Sequence, residues 1–362
     1  MLEVFAWIIG KTILANFLKE FMFRIVVLLV ILAWIFGIIK EYAVFIEIYA
    51  YLYFIPVVIL SWVMVRSQVF KLVFKKSTVT RKLSGAMVKY GGAYFLGNIL
   101  NVVAKTNDTI IIASQSIGGL ADAAIFTIAT YLITVMDVPQ RSMVSAAIPQ
   151  IAQAWKDKDL AKLDRLYKKT ALNLLVIAAG ILGLVILNIP AFIQVLGPAY
   201  AGMTMLMFIL GISKLIDLGT GMNGHILQLS KHWKIDLFTN MFFVVISIIL
   251  NYWLTRTYGI LGTAIGSLIA IILFNFIRFY YIKKIYGLQP FSWRNGVTLL
   301  VAGALTFVLY SIAFHDFIWV NLAIKSILFI LAFSFIVIRF NVSPDITELY
   351  NMARSRVMRR GS

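Results

Sequence analysis

Apolar positions along the chain come in long runs that polar residues rarely break. A run that crosses roughly 30 Å of hydrocarbon needs about 20 residues in helical form, since a helix satisfies all its backbone hydrogen bonds within one segment. Ten runs have that character: 22–39, 43–65, 88–115, 120–146, 170–189, 203–229, 235–255, 259–281, 296–314 and 317–338. The third and fourth are longer than a bilayer requires, so they are expected to tilt or project beyond it. Residues 1–20 form a further half-apolar segment, interrupted by Lys11 and Lys19, that reads as the tail of another span. The pattern predicts an all-α polytopic membrane protein of about ten transmembrane helices.

Composition strengthens this reading. Of 362 residues, 61% are hydrophobic and 13% charged, and the mean hydropathy is +0.92, against roughly 45–50% apolar residues in soluble domains. No charged leader with a small-residue cleavage site precedes the first run, so the spans themselves are expected to direct insertion. With no cysteine and three scattered histidines, disulfides, thiolate metal sites and a zinc site are not expected, and no cofactor is indicated.

The net charge of +18 could suggest nucleic acid, but its distribution argues otherwise. With a cytoplasmic N-terminus, most of the 33 Lys and Arg collect on one side. They lie in the opening segment, the 66–89 loop, Lys156 to Lys169, Lys231 and Lys234, Arg278 to Arg294, and Arg339 to Arg360. Only Lys40 and Arg256 fall in opposite loops, while Lys105, Arg141, Lys214 and Lys325 lie inside spans. Basic loops resist translocation. Both termini are therefore expected to be cytoplasmic, and the positive charge is a topology signal plus attraction to anionic membrane lipids. Trp62, Trp233, Trp253, Trp293 and Trp319 near span ends agree. The loop "IAQAWKDKDLAKLDRLYKK" sets Ile151, Trp155, Leu163 and Leu166 among charges at roughly helical spacing, which predicts an interfacial helix. Outer loops are too short for a folded domain.

"DLGTGMNGHI" holds Gly219, Gly221 and Gly224 in the spacing of a dinucleotide-binding turn. That turn works only between a strand and a helix, and this one interrupts the sixth run. Close helix packing or a local break of the helix is the expected role; with Asn223 and His225 beside it, the break could also line a substrate route.

Charges inside a bilayer cost about 2.5–3.5 kcal/mol each on insertion scales, so each needs a partner or a purpose. Lys105 and Asp108, Asp137 and Arg141, and Lys214 and Asp217 are three or four residues apart, on one face of their respective helices. These pairs either tie helices together or line an electropositive, water-filled cavity. Asn98, Asn101, Thr106, Asn107, Gln140 and Ser142 beside them favour the cavity. No paired carboxylates, acid-base histidine or metal cluster marks an enzyme.

Three segments in order, "NDTIIIASQSIGGLADAAIFTIATYLITVMDVPQRSMVSAAIPQIAQAWKDKDLAKLDRLYKK", "GPAYAGMTMLMFILGISKLIDLGTGMNGHIL" and "YGILGTAIGSLIA", resemble the C-terminal half of bacterial polysaccharide (O-antigen type) flippases. These belong to the multidrug/oligosaccharidyl-lipid/polysaccharide exporter superfamily. The resemblance implies two six-helix lobes around a central cavity, often with two extra C-terminal spans. It also implies export of an undecaprenyl-diphosphate-linked oligosaccharide across the inner membrane by alternating access, for surface polysaccharide or lipopolysaccharide assembly. On that map residues 1–65 are the remnant of an N-terminal lobe that lacks its first helices, and 66–87 a basic cytoplasmic linker. Residues 88–285 are then a complete six-helix lobe, 294–338 two additional spans, and 339–362 a basic cytoplasmic tail. Substrate binding is expected at Lys105, Arg141, Lys214, Asn101 and Asn223, and ion coupling or cation positioning at Asp108, Asp137 and Asp217. Expected partners are the lipid-linked oligosaccharide, membrane lipids and glycan-assembly proteins, with no nucleic acid. A multidrug or small-cation exporter of the same superfamily and a non-catalytic component of glycan assembly are the alternatives.

Overall fold

The long apolar runs become long helices. A computed structural model of the chain describes residues 6–7, 11–66, 78–315 and 317–360, and all regular structure among them is helical. The first helix, α1, consists of Thr12–Asn16, a π-wound stretch Phe17–Met22 and Phe23–Ile35. It is followed by α2 (Tyr42–Leu52), α3 (Phe54–Arg66), α4 (Thr78–Gln115), α5 (Gly119–Ile133), α6 (Asp137–Lys156) and α7 (Leu160–Leu196). Then come α8 (Met203–Gly219), α9 (Asn223–Gln228), α10 (Trp233–Tyr286), α11 (Trp293–Ser311), α12 (Ile318–Arg339) and α13 (Pro344–Arg360). Among the described residues, six continuous helical stretches are long and apolar enough to cross a membrane: Tyr42–Arg66, Gly119–Lys156, Leu160–Leu196, Trp233–Tyr286, Trp293–Ser311 and Ile318–Arg339. The chain is thus an all-α polytopic membrane protein.

It divides into two compact units, Met1–Met87 with Ser142–Gln150, and Val88–Arg141 with Ile151–Ser362. In the first, Ala15, Leu18, Leu60 and Met64 are buried together, and Asn16 Nδ2 donates to Ser145 Oγ at 2.8 Å. The basic stretch 66–87 is helical from Thr78 onward, and 67–77 lie outside the described residues.

In the second unit α7 is the most buried of the membrane-length helices, packing against α8, α11 and α12. Its start is specified by Asp159, whose side chain accepts from the Lys162 backbone N–H at 2.8 Å. The expected interfacial helix over 151–169 is not formed. Those residues are the end of α6 and the first turns of α7, joined by a tight turn with Lys158 at φ 56°. Ile151 and Leu163 are fully buried in protein, and Trp155 donates to the Ile226 carbonyl at 3.1 Å while its ring packs at a tilt against Tyr286. Helical spacing of apolar residues among charges fits either environment, and here protein contacts win over lipid.

The α10 segment is two spans in one. Gly259, at φ 59° and ψ −142°, reverses the chain, a backbone state that favours glycine. The two arms then run antiparallel, paired by Thr255 Oγ1 with Thr263 Oγ1 at 2.6 Å, Asn251 with Ser267 at 3.2 Å, and Asp236 with Arg278.

The glycine run does break its helix. α8 ends at Gly219 and α9 starts at Asn223. Gly221 adopts φ 68°, and a Cβ there would stand 2.9 Å from the Ala171 backbone on α7. Both readings of the run, helix break and close packing, are met at this one residue.

Candidate functional site

A cavity of about 500 Å³ opens within the second unit, between α4, the start of α6, α8, α9 and both arms of α10. Its polar lining is supplied by side chains that each helix carries on its inward face. Asp108, Asp137, Arg141, Lys214 and Asp217, five of the residues singled out in the sequence, all reach it. Asn223 does not. It is buried, donating to Asn275 Oδ1 at 2.7 Å and Thr220 Oγ1 at 3.2 Å, and so braces the break between α8 and α9 against α10. The side chains of Asn101 and Lys105 lie outside the described residues.

Lys214 is the centre of a triad. Its Nζ lies 2.5 Å from Asp137 Oδ1 on α6 and 3.3 Å from Asp217 Oδ2 one turn along α8. The i,i+3 partner was legible, whereas Asp137 comes from another helix and makes the shorter contact. A unit charge pair at 4 Å is worth about 4 kcal/mol at an effective dielectric of 20, so two carboxylates more than neutralise the one ammonium. Asp217 Oδ1 also accepts from Asn275 Nδ2 at 3.4 Å, which links the triad to α10.

Asp108 has neutral described partners. Its Oδ1 accepts from Asn251 Nδ2 at 2.7 Å and its Oδ2 from the Ser267 hydroxyl at 3.4 Å. Asn251 Nδ2 also lies 3.3 Å from Ser247 Oγ, and Asn251 Oδ1 is buried without a hydrogen-bond partner. The Asn251 amide nitrogen thus faces one carboxylate and two hydroxyls, so Asp108 is held by neutral donors. Among the described residues, no group of three or more His, Cys, Asp or Glu could hold a metal ion.

A second ion pair closes the far end. Arg278 Nη2 donates to Asp236 and, at 3.3 Å, to Asn240 Oδ1, while Nε donates to Thr239 Oγ1 at 3.1 Å. Phe274 stacks on the guanidinium, its centroid 3.9 Å from Cζ. Sequence reading had assigned Arg278 to a basic loop. It is 7% exposed and belongs to the cavity. The signal was present in the arms of α10, where Asp236, Asn240, Ser247 and Asn251, then Ser267, Asn275 and Arg278, recur at helical spacing within apolar sequence.

The electropositive cavity expected from the sequence is not found among the described residues. The described lining carries four aspartates, Asp108, Asp137, Asp217 and Asp236, against the cations Arg141, Lys214 and Arg278. Charge pairs across helices were invisible to spacing, and in the described lining the carboxylates outnumber the cations.

Two further cavities lie in the same unit. Asp108, Asp137 and Lys214 also line a space of about 380 Å³ that carries Thr109, Thr127, Thr130 and Thr134. An apolar cavity of about 640 Å³ lies between α7, α8 and α11, bordered by Leu182, Ile186, Phe208, Ala302 and Phe307.

The fold and the charged interior define an all-α polytopic membrane protein with ionisable side chains gathered on a cavity. Among solved structures, the chain is similar to one described as lipid II flippase MurJ, inward closed conformation, with a TM-score of 0.55 and 15% sequence identity. The match covers 87% of this chain and 66% of that one, so the chain spans less than two thirds of that protein's length. The likeness is one of fold. No family model matches the chain, and neither does any curated protein sequence.

Proposed function

We propose that the chain works in a flippase of the polysaccharide (O-antigen) type, moving an undecaprenyl-diphosphate-linked oligosaccharide across the bacterial inner membrane by alternating access, with both termini cytoplasmic. The observation that carries this reading is the cavity lined by ionisable and amide side chains in a unit otherwise made of apolar helices. Intramembrane charges gathered on a shared void are the mark of a transport route. A fold shared with a lipid II flippase supports the substrate class.

In this reading residues 1–65 belong to one lobe and 88–285 to the other, with 294–338 as two additional spans. Arg141, Lys214 and Lys105 act on the anionic head of the substrate, and Asn101 adds hydrogen bonds. Asp137 and Asp217 hold Lys214 in place, and Asp108 receives the coupling ion. The apolar cavity between α7, α8 and α11 offers an isoprenoid chain a dry surface.

The test is alanine substitution of Lys105, Arg141 and Lys214, one at a time in a full-length version, followed by an assay of surface glycan export. Export is expected to fall at least tenfold for one or more. Normal export by all three removes them from the mechanism.

One observation favours a second reading. The described lining has more carboxylates than cations, as a drug or small-cation exporter of the same superfamily would require. Efflux of cationic dyes, abolished by Asp108→Asn, would select that reading over the first.

A further inference from the structure

The start of α13 is specified locally and pinned to the core. Asn341, at φ 48°, a left-handed state that asparagine tolerates, turns the chain out of α12. Pro344 then takes the first helical position, where no N–H is needed. Ser343 caps the new helix, its Oγ accepting from the Ile346 N–H at 3.3 Å and donating to Asn173 Oδ1 of α7 at 2.5 Å. Asp345 accepts from Asn173 Nδ2 at 2.8 Å and pairs with Lys169 Nζ at 2.6 Å. Ile346 packs on the buried cluster of α7, α11 and α12 that includes Leu172, Phe333 and Val337. Beyond this first turn the helix leaves the core: from Glu348 onward every described side chain of α13 is exposed, Tyr350 and Met352 included.

The sequence of that exposed part is not random. Ile346, Leu349, Tyr350, Ala353 and Val357 recur at the spacing of one helix face, so the stripe that begins in the core continues past it. Arg354, Arg356, Arg359 and Arg360 fall in the last two turns, whereas the acidic residues Asp345 and Glu348 fall in the first two, and Asp345 is taken by Lys169. Only Phe340 to Ser343 separate α13 from α12, a helix of membrane-crossing length, so α13 starts at the bilayer boundary.

We propose that α13 lies on the bilayer surface as an amphipathic helix that binds anionic lipid headgroups, in the leaflet where α12 ends, the cytoplasmic one in the proposed topology. Charge complementarity selects this occupant. An apolar stripe beside basic residues is drawn to an anionic surface, and each arginine near such a surface strengthens binding by about fivefold. A second copy of α13 would set the same four arginines against these. The pinned first turn fixes where the helix leaves the protein, which lowers the ordering cost of laying it on the membrane.

Because the chain has no cysteine, Ala353→Cys, on the stripe, and Ser355→Cys, on the opposite side, can each carry an environment-sensitive NBD fluorophore. The full chain is placed one copy per nanodisc, in phosphatidylcholine alone or mixed with phosphatidylglycerol. Emission at 353 is expected to shift to the blue and rise about twofold or more in the anionic discs, while emission at 355 stays water-like. Raising salt from about 0.1 to 1 M should reverse the change, since the Debye length falls from roughly 10 to 3 Å. Arg354→Gln/Arg356→Gln/Arg359→Gln/Arg360→Gln should remove the dependence on lipid; should that variant fail to fold, the salt reversal decides alone. The proposal is overturned if emission at 353 is the same in both kinds of disc, if salt leaves the difference intact, or if the folded four-glutamine variant still responds to phosphatidylglycerol. Shielding of 353 only when two copies share a disc also overturns it and assigns the stripe to a second copy.

Discussion

Lys214 joins carboxylates from two helices, and its three side chains retain only 12–26% exposure. Lys214→Ala strands two aspartates beside each other, which should cost about 3 kcal/mol, the low end for breaking a buried pair. Thermal unfolding in detergent would show it, and adding Asp217→Asn should recover part of the loss. At Gly221 the cause is the backbone: a side chain there meets both φ 68° and the Ala171 main chain at 2.9 Å. Gly221→Ala is expected to destabilise by about 2 kcal/mol or more, read by the same melt. Several of the charges inside the bilayer, Asp108, Asp137, Arg141, Lys214 and Asp217 among them, were legible from sequence because each interrupts an apolar run, whereas Asp236 and Arg278 were not. Their partners were only half legible. Spacing of three or four reports neighbours on one helix, so it found Asp217 beside Lys214 and missed Asp137.

The elements themselves were the most readable part, since the bilayer imposes one length on every span. Each of the ten predicted runs falls largely on helix, including the two that α10 joins through Gly259, and the sixth is broken between α8 and α9. Reading failed where composition has two meanings. Arg278 stands in the last turns of α10 near Lys283 and Lys284, and a charge there looks the same whether it points to water or to Asp236. The α6–α7 turn failed for the same reason, its apolar residues meeting protein and not lipid. Pairing between the arms of α10 is open to a direct check at Thr255 and Thr263, both buried and 2.6 Å apart. Thr255→Val alone leaves the other hydroxyl without its partner and should cost about 1–2 kcal/mol, while Thr255→Val/Thr263→Val should be close to neutral. Additive losses in a double-mutant cycle would contradict the pairing.

For the whole molecule, the distribution of Lys and Arg is a statement about orientation that the helices alone do not make. The chain has no cysteine, so single reporters are free of background. Lys158→Cys, in the α6–α7 turn, should react with a membrane-impermeant maleimide only after the cytoplasmic face is opened. Arg256→Cys, near the reversal at Gly259, should react in intact spheroplasts. The opposite result would invert the topology. The Gly259 reversal also bears on how the chain is made. Its two arms leave the ribosome one directly after the other, and each carries on its inner side the groups that satisfy the other's. The translocon would receive them as a hairpin that screens its own polar seam before any more distant helix arrives. A nascent chain halted after the first arm would instead offer Asp236, Asn240 and Asn251 to lipid, and membrane quality-control proteases should degrade it first.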